Sequence, residues 1–141
     1  MRRRIVWLSC LALTLCFLGC ATVNTFVKGG SRWISVELAD NMTYDRAWAM
    51  VTDRLVKQFD LEMLDRESGY FRTGWLYTWT GKLNERYRVR VTGKFSVDRK
   101  RLELKCEAEY GGNGYWEPGY DTRLLSTLQT DILGTLGRTT N

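Results

Sequence analysis

The chain has 141 residues, of which 21 are lysine or arginine and 16 are aspartate or glutamate, for a formal net charge of +5. This length suits a single domain of ordinary size. The chain contains no histidine, so it lacks the commonest general base and the commonest metal ligand, and Ser–His–Asp and Cys–His catalytic sites are excluded.

The N-terminus has the features of an exported protein. Three arginines at positions 2–4 precede an apolar run over residues 5–18. This is the pattern of a secretory signal, and the run is shorter than the roughly 20 residues that span a membrane. The run leads to Gly19, Cys20 and Ala21, and this end resembles the bacterial lipobox, in which a small residue precedes a cysteine that becomes lipidated.

The lipobox resemblance implies that residues 1–19 are a signal peptide and that Cys20 becomes the new N-terminus. Cys20 would then carry diacylglycerol and an N-acyl chain such as palmitate, which together give firm attachment to a membrane. In the lipoprotein family an acidic residue after the cysteine favours the inner membrane, so Ala21 implies the outer membrane, with the domain facing the periplasm. Ordinary cleavage after Ala21 and a retained anchor helix are the alternatives.

Removal of the leader changes the charge and the cysteine count. Without its three arginines, 18 basic residues face 16 acidic ones, a net charge of +2, which does not favour nucleic acid as a partner. Cys10 and Cys16 leave with the leader, so Cys106 is the one remaining unmodified thiol and no internal disulfide is possible. We expect Cys106 to be buried, and we predict no cofactor and no metal site.

The mature chain begins with a predicted tether over residues 20–31, and a single domain follows over residues 32–141. The domain opens with a strand, after which Asn41 or Thr43 can cap an amphipathic helix. The predicted buried stripe of this helix comprises Ala47, Trp48, Val51, Leu55 and Phe59.

The middle of the chain has the alternation of β-strands. After a short strand at 61–64, alternation over 71–79 predicts that Trp75, Tyr77 and Trp79 lie on the apolar face of the sheet. Two further strands lie near 86–97 and 102–110. A two-residue turn at positions 99 and 100 would place Val97 opposite Leu102 and Arg90 opposite Glu109, and a bulge could shift this register by one.

Residues 111–119 are predicted to form a loop because they are rich in glycine. The spacing of Leu124, Leu125, Leu128, Ile132 and Leu136 predicts a closing helix. The expected fold is therefore α+β, with an antiparallel sheet of about five strands and two helices on one face. Its element order, β-α-β-β-β-β-α, is that of a helix-grip domain.

No set of residues predicts an enzyme. Glu103, Glu107 and Glu109 share one strand face, but we expect them to pair with the arginines at 86, 88 and 90. The "GGNG" sequence at 111–114 lacks the lysine and hydroxyl residue of a phosphate-binding loop. We predict no catalytic residue.

Four aromatic residues are candidates for binding a partner or a ligand. Trp75 and Trp79 could line a groove between the sheet and the last helix, and Tyr115 and Trp116 lie in the predicted loop, where large side chains often have a binding role. The arginine row beside these aromatics is typical of single-strand nucleic-acid platforms. Alternation, however, places the aromatics and the arginines on opposite faces, so we predict no nucleic-acid binding.

The stretch from residue 65 to residue 91 resembles a domain of BamC, a lipoprotein of the outer-membrane β-barrel assembly machinery. The residues that carry the resemblance are Trp48, Asp65, Gly69, Thr73, Trp75, Tyr87, Arg88 and Arg90, and the similarity spans most of 35–136. It implies a helix-grip fold and a non-catalytic, lipid-anchored subunit that binds other proteins. The chain differs from BamC in having one such domain instead of two and a short tether instead of a long N-terminal segment.

These observations support two hypotheses. The first is an outer-membrane lipoprotein whose domain serves as a protein-binding or scaffold module in envelope assembly, with the β-barrel assembly machinery as one candidate partner. The second is a periplasmic carrier of an apolar ligand held between the sheet and the C-terminal helix. The second hypothesis requires an apolar cavity lined by Trp75, Trp79 or Leu128.

Overall fold

The structure is a computed structural model that describes residues 25–79, 86–112 and 114–137. These residues form one antiparallel sheet with two α-helices, which confirms the α+β prediction. The described part of the chain contributes eight strands to the sheet, more than the five expected. Cys20 and the side chain of Trp79 lie outside the described residues.

The elements in chain order are β1 (Phe26–Lys28), β2 (Trp33–Glu37), α1 (Tyr44–Val56), β3 (Leu61–Asp65), β4 (Tyr70–Thr73), β5 (Leu76–Trp79), β6 (Arg86–Phe95), β7 (Arg101–Gly112), β8 (Tyr115–Asp121) and α2 (Thr122–Leu136).

A long hairpin of β6 and β7 forms the centre of the sheet. Two shorter strands lie end to end along each side of this hairpin: β4 and β5 pair with β6, and β2 and β8 pair with β7. β1 adds to β8 at one edge, and β3 adds to β4 at the other. The hairpin therefore links all the other strands into one sheet.

Helix α1 has the N-cap and the buried residues that the sequence predicts. The Oγ1 atom of Thr43 accepts a hydrogen bond from the backbone N–H of Arg46 at 3.3 Å, so Thr43 is the N-cap. The predicted residues Ala47, Trp48, Val51 and Leu55 are buried. Because every third or fourth residue is apolar, one stripe of the helix covers the sheet.

Helix α2 begins at the N-cap Asp121 and buries Leu125, Leu128, Ile132 and Leu136. Both helices pack on the same side of the sheet, since their buried residues share one hydrophobic core with residues of β2, β4, β6 and β7. Within the described ranges, no helix combines the length and the hydrophobicity needed to cross a membrane. We call the side of the sheet that faces away from the helices the outer face.

Two segments that were expected to be irregular are strands. Residues 26–28, assigned to the tether, form β1, and most of the predicted loop at 111–119 belongs to β7 and β8. Glycine and proline predict a turn here, but Gly111 pairs with Trp116 in the β7–β8 ladder. The position requires glycine, because a Cβ atom there would clash with the carbonyl oxygen of Tyr115 and lie 2.8 Å from the ring of Trp116.

The 71–79 segment is interrupted by a β-bulge. Phe71 lies opposite Gly93 and Leu76 lies opposite Val89, so five residue steps on one strand match four on β6. The extra residue reverses the alternation. The prediction that Trp75 and Tyr77 lie on the apolar face is therefore wrong: Tyr77 is paired with Arg88 on the outer face.

Polar contacts satisfy the backbone around this bulge. The Thr73 side chain is fully buried, and its Oγ1 atom accepts a hydrogen bond from the N–H of Val91 at 2.9 Å. The N–H of Gly74 donates to the carbonyl of Asp60 at 2.8 Å. Because buried backbone groups need partners, these bonds stabilise the irregular geometry.

The predicted register of the central hairpin is wrong by two residues. Phe95, not Val97, lies opposite Leu102, so Arg90 pairs with Glu107 and Arg88 pairs with Glu109. The turn is longer than expected and contains Arg99 in the left-handed region, at φ 59°. A shift of two keeps every residue on its predicted face, but it places Val97 in the turn, where it is 99% exposed.

Candidate functional site

The most distinctive surface of the protein is a set of stacked side chains on the outer face. We define the aromatic–arginine cluster as Trp75, Tyr77, Arg88, Arg90 and Trp116. Tyr77 is on β5, the two arginines are on β6 and Trp116 is on β8, so three strands build the cluster. Trp75 lies in the bulge between β4 and β5, and the reversed alternation turns it toward the arginines.

Arg88 is the centre of the cluster. Its guanidinium carbon lies 4.4 Å from the centre of the Trp75 ring and 4.3 Å from that of Trp116. Each such cation–π contact contributes about 0.5–2 kcal/mol, depending on desolvation. The same group donates hydrogen bonds to the Tyr77 hydroxyl at 2.9 Å and, from Nε, to Glu109 at 2.7 Å.

Arg90 repeats this arrangement two residues further along β6. Its guanidinium carbon is 4.4 Å from the centre of the Trp75 ring, and its Nε donates to Glu107 at 2.9 Å. Glu107 also pairs with Lys105 at 3.2 Å. Trp75 is thus in contact with two guanidinium groups at once, which restricts the orientation of its ring.

The charges of the cluster are stabilised in their ionised forms. Burial tends to lower the pKa of Arg88, but hydrogen bonds to Glu109 and Tyr77 outweigh it, and the pKa is raised. Burial tends to raise the pKa of Glu107, but hydrogen bonds from Arg90 and Lys105 outweigh it, and the pKa is lowered. Both shifts favour the ionised forms of Arg88 and Glu107 at neutral pH.

The cluster is partly accessible. Tyr77 is 59% exposed, whereas the other four members are half-buried. Trp33, which lies outside the cluster beside Lys105 on the same face, is 51% exposed. Tryptophan, tyrosine and arginine are the residues that contribute most at protein–protein interfaces. Fixing them before contact reduces the entropy that binding would otherwise cost.

The structure brings together only part of the predicted site. Trp75 and Trp116 meet through Arg88, whereas Tyr115, 67% exposed, precedes Trp116 in β8 and so points to the opposite face. The backbone of Trp79 lies opposite Arg86.

Three residues of the cluster, Tyr77, Arg88 and Arg90, were not predicted as site residues. Unbroken alternation would place the aromatics and the arginines on opposite faces of the sheet. Gly74 within an alternating run was the available signal of a bulge.

The shared face of the aromatics and arginines affects the reasoning about nucleic-acid binding. Trp75, Tyr77 and the arginines share a face, so the prediction that alternation separates them is wrong. Arg88 and Arg90 are each paired with a glutamate, however, so neutralising a phosphate would require breaking an existing ion pair. That no nucleic acid binds stays a prediction.

The five residues of the cluster include no histidine, cysteine, aspartate or glutamate. Within residues 25–79, 86–112 and 114–137, no three His, Cys, Asp or Glu side chains are grouped so that they could hold a metal ion. The thiol of Cys106 is fully buried, and burial raises its pKa to about 12, so it is a poor nucleophile. The stacked aromatic and guanidinium groups of the cluster are suited to binding by contact.

The carrier hypothesis named residues that the structure places apart. Leu128 is buried in the core between sheet and helices, and Trp75 is on the outer face. Trp75 does border a surface depression of about 260 Å³ that is also lined by Val56, Phe59 and Leu76 at the end of α1. This depression does not reach the groove under α2 where the ligand was expected.

Comparison with known proteins leaves the site to be interpreted from its own geometry. No protein-family model matches the chain, and no curated protein is significantly similar to it.

Proposed function

We propose that the protein is an outer-membrane lipoprotein, anchored through Cys20, whose periplasmic domain is a non-catalytic protein-binding or scaffold module in envelope assembly. The observation that carries the proposal is the aromatic–arginine cluster, a partly exposed set of stacked side chains of the residue types that dominate protein interfaces. The lipobox resemblance supplies the location.

The proposal includes the helix-grip assignment and the relation to BamC. The two helices on one face of an antiparallel sheet support both. Of the residues behind the resemblance, Trp75, Arg88 and Arg90 belong to the cluster. Since a fold can serve several functions, the cluster is the stronger support for protein binding.

Site-specific photo-crosslinking in native membranes tests the binding role. A photoreactive phenylalanine replaces Tyr77 in the full-length chain, and the matched control carries it at Val97, which is fully exposed about 30 Å along the hairpin from Arg88. We expect discrete protein adducts from position 77 and few from position 97. Equal adduct patterns at the two positions would argue against a binding face, and no adduct at position 77 would remove the proposal.

Intact mass of the protein from membranes tests the anchor. We expect a chain that begins at Cys20 and carries a mass increment of several acyl chains, and we expect the increment to disappear in Cys20→Ser. An unmodified chain that begins at Thr22 would instead indicate ordinary secretion.

A further inference from the structure

One edge of the sheet exposes apolar side chains on both of its strands. The edge consists of β1, the connection at residues 29–32 and β2, and in the described part of the chain neither strand has a second strand partner. Val27 of β1 is 39% exposed, and Trp33 at the start of β2 is 51% exposed. We call β1, the connection and the start of β2 the β1–β2 edge.

Val27, Tyr120 and Trp33 form an apolar patch on the outer face of this edge. Val27 is paired with Tyr120, which alternates along β8 onto the same face as Trp116. Continuing the register by one residue places Tyr120 opposite Glu107, two residues along β7 from the partner of Trp33, so the two rings start about 7 Å apart. Tryptophan and tyrosine are the side chains that are enriched at membrane–water interfaces.

The charges around the patch are mainly positive. Residues 26–33 contain Lys28 and Arg32 and no acidic residue. Lys28 pairs with Glu117, but its side chain remains 73% exposed. Arg123 is exposed in the first turn of α2, where a positive charge is unfavourable to the helix dipole, so helix stability does not explain it. Basic side chains beside interfacial aromatics favour a surface of anionic phospholipid.

The opposite edge of the sheet has a similar apolar exposure but the opposite charge. Met63 and Leu64 of β3 are 45% and 52% exposed. The same strand contains Glu62 and Asp65 and no basic residue. Since acidic side chains are repelled by anionic headgroups, charge distinguishes the two edges where apolar exposure does not.

The start of the domain is fixed next to the β1–β2 edge. The side chain of Thr25 donates a hydrogen bond to the buried Asp121 carboxylate at 2.9 Å, and its carbonyl accepts one from the N–H of Thr122 at 2.9 Å. Five peptide units join Cys20 to Thr25 and span at most about 18 Å, and Val27 lies about 7 Å beyond. A lipidated Cys20 would therefore keep Val27 within about 25 Å of the membrane, which allows direct contact.

We infer that the β1–β2 edge rests on an anionic phospholipid surface, with Val27 and Trp33 among the headgroups and the three basic side chains beside them. The inference rests on the proposed function, because it assumes lipidation at Cys20. The acyl chains supply the attachment, and the edge adds an orientation that directs β3 away from the membrane. Contact through an edge leaves the aromatic–arginine cluster open to a partner.

Site-directed fluorescence in vesicles tests this contact. Full-length protein, shown by intact mass to be acylated, carries Val27→Cys or Met63→Cys with an environment-sensitive fluorophore on the new thiol, and the buried Cys106 does not compete for it. Both positions are exposed on the outer face, but five strand spacings, about 24 Å, separate them. The vesicles contain equal parts of phosphatidylcholine and phosphatidylglycerol, with a nitroxide quencher on some headgroups.

We expect stronger quenching at position 27 than at position 63, and weaker quenching at position 27 in vesicles of phosphatidylcholine alone. Combining Arg32→Gln with Arg123→Gln should lower the ratio of contacting to free domains on the order of twentyfold, since each basic residue favours contact with an anionic surface about fivefold. The control combines Lys57→Gln with Arg66→Gln, which removes the same charge at exposed positions near β5 and β3 and should leave the ratio unchanged.

Other outcomes would overturn the inference. Weak and equal quenching at the two positions of the acylated protein does so and leaves the proposed function standing. Strong and equal quenching would mean that the whole outer face lies on the lipid, which also argues against a cluster open to proteins. Discrete protein adducts from a photoreactive phenylalanine at position 27 in native membranes would assign this edge to a protein. A chain without acyl chains removes the anchor and the inference together.

Discussion

At the scale of single residues, Arg88 organises the outer face. Its guanidinium contacts two tryptophans, a tyrosine hydroxyl and a glutamate, and its side chain is 19% exposed. Arginine suits this position because its planar group can stack on rings and donate several hydrogen bonds at once. Lysine could supply the charge but not the stacking.

Replacing Arg88 should therefore affect both stability and the tryptophan environment. We expect Arg88→Ala to lower the free energy of unfolding by about 2 kcal/mol, since it removes two cation–π contacts and leaves Glu109 partly buried without its partner. Arg88→Lys should fall between the native protein and Arg88→Ala. Urea unfolding followed by tryptophan fluorescence measures both effects, and Arg86→Ala, an exposed position on the same strand, is the control. Equal stability of the Arg88→Ala and Arg86→Ala proteins would contradict the role of the cluster.

Glu107 should contribute to acid sensitivity. Because Arg90 and Lys105 lower its folded-state pKa, the folded protein binds fewer protons here than the unfolded chain. The resulting stability is fully present above the unfolded pKa of about 4.3 and is lost as the pH falls through the lower, folded-state pKa.

We expect the loss of unfolding free energy between neutral pH and pH 3 to be smaller in Glu107→Gln than in the native protein. Urea unfolding at a series of pH values measures this difference. The same acid-induced loss in both proteins would show that the ion pair of Glu107 adds nothing to stability.

At the scale of elements, the bulge between β4 and β5 determines what the outer face displays. One extra residue reverses the alternation, so Trp75 and Tyr77 join the arginines instead of the core. The N–H of Val91 donates to the side chain of Thr73 in place of a regular backbone hydrogen bond between the strands. The bulge is thus stabilised by a side chain as well as by backbone pairing.

Thr73→Val tests this bond with little change in shape. We expect a loss of about 1–3 kcal/mol in unfolding free energy, because the buried N–H of Val91 would have no acceptor. Thr78→Val, at an exposed position of β5, should change stability by less than about 0.5 kcal/mol. Similar stabilities of these two variants in urea unfolding would mean that Thr73 does not stabilise the bulge.

At the scale of the whole molecule, one hydrophobic core joins the helices to the inner side of the sheet, and Cys106 lies within that side of the fold. Burial raises the pKa of its thiol to about 12, so very little thiolate forms at pH 8. Its reactivity should therefore report global unfolding.

We expect alkylation of Cys106 in the native protein to be slower than in the urea-unfolded chain by roughly a thousandfold or more. Timed iodoacetamide treatment, followed by mass spectrometry of the peptide that contains Cys106, measures both rates. Alkylation of the native protein at a rate near that of the unfolded chain would mean that β7 opens locally without global unfolding.

Elements with local signals could be predicted from the amino-acid sequence. Apolar spacing and the cap at Thr43 predicted α1, similar spacing predicted α2, and alternation predicted the faces of β6 and β7. The extra strands, the register and the face on which Trp75 lies could not be predicted in this way and became clear from the folded chain. These depend on which residues meet across strands: a single extra residue in one strand reverses its faces, while the periodicity on either side of it looks unbroken.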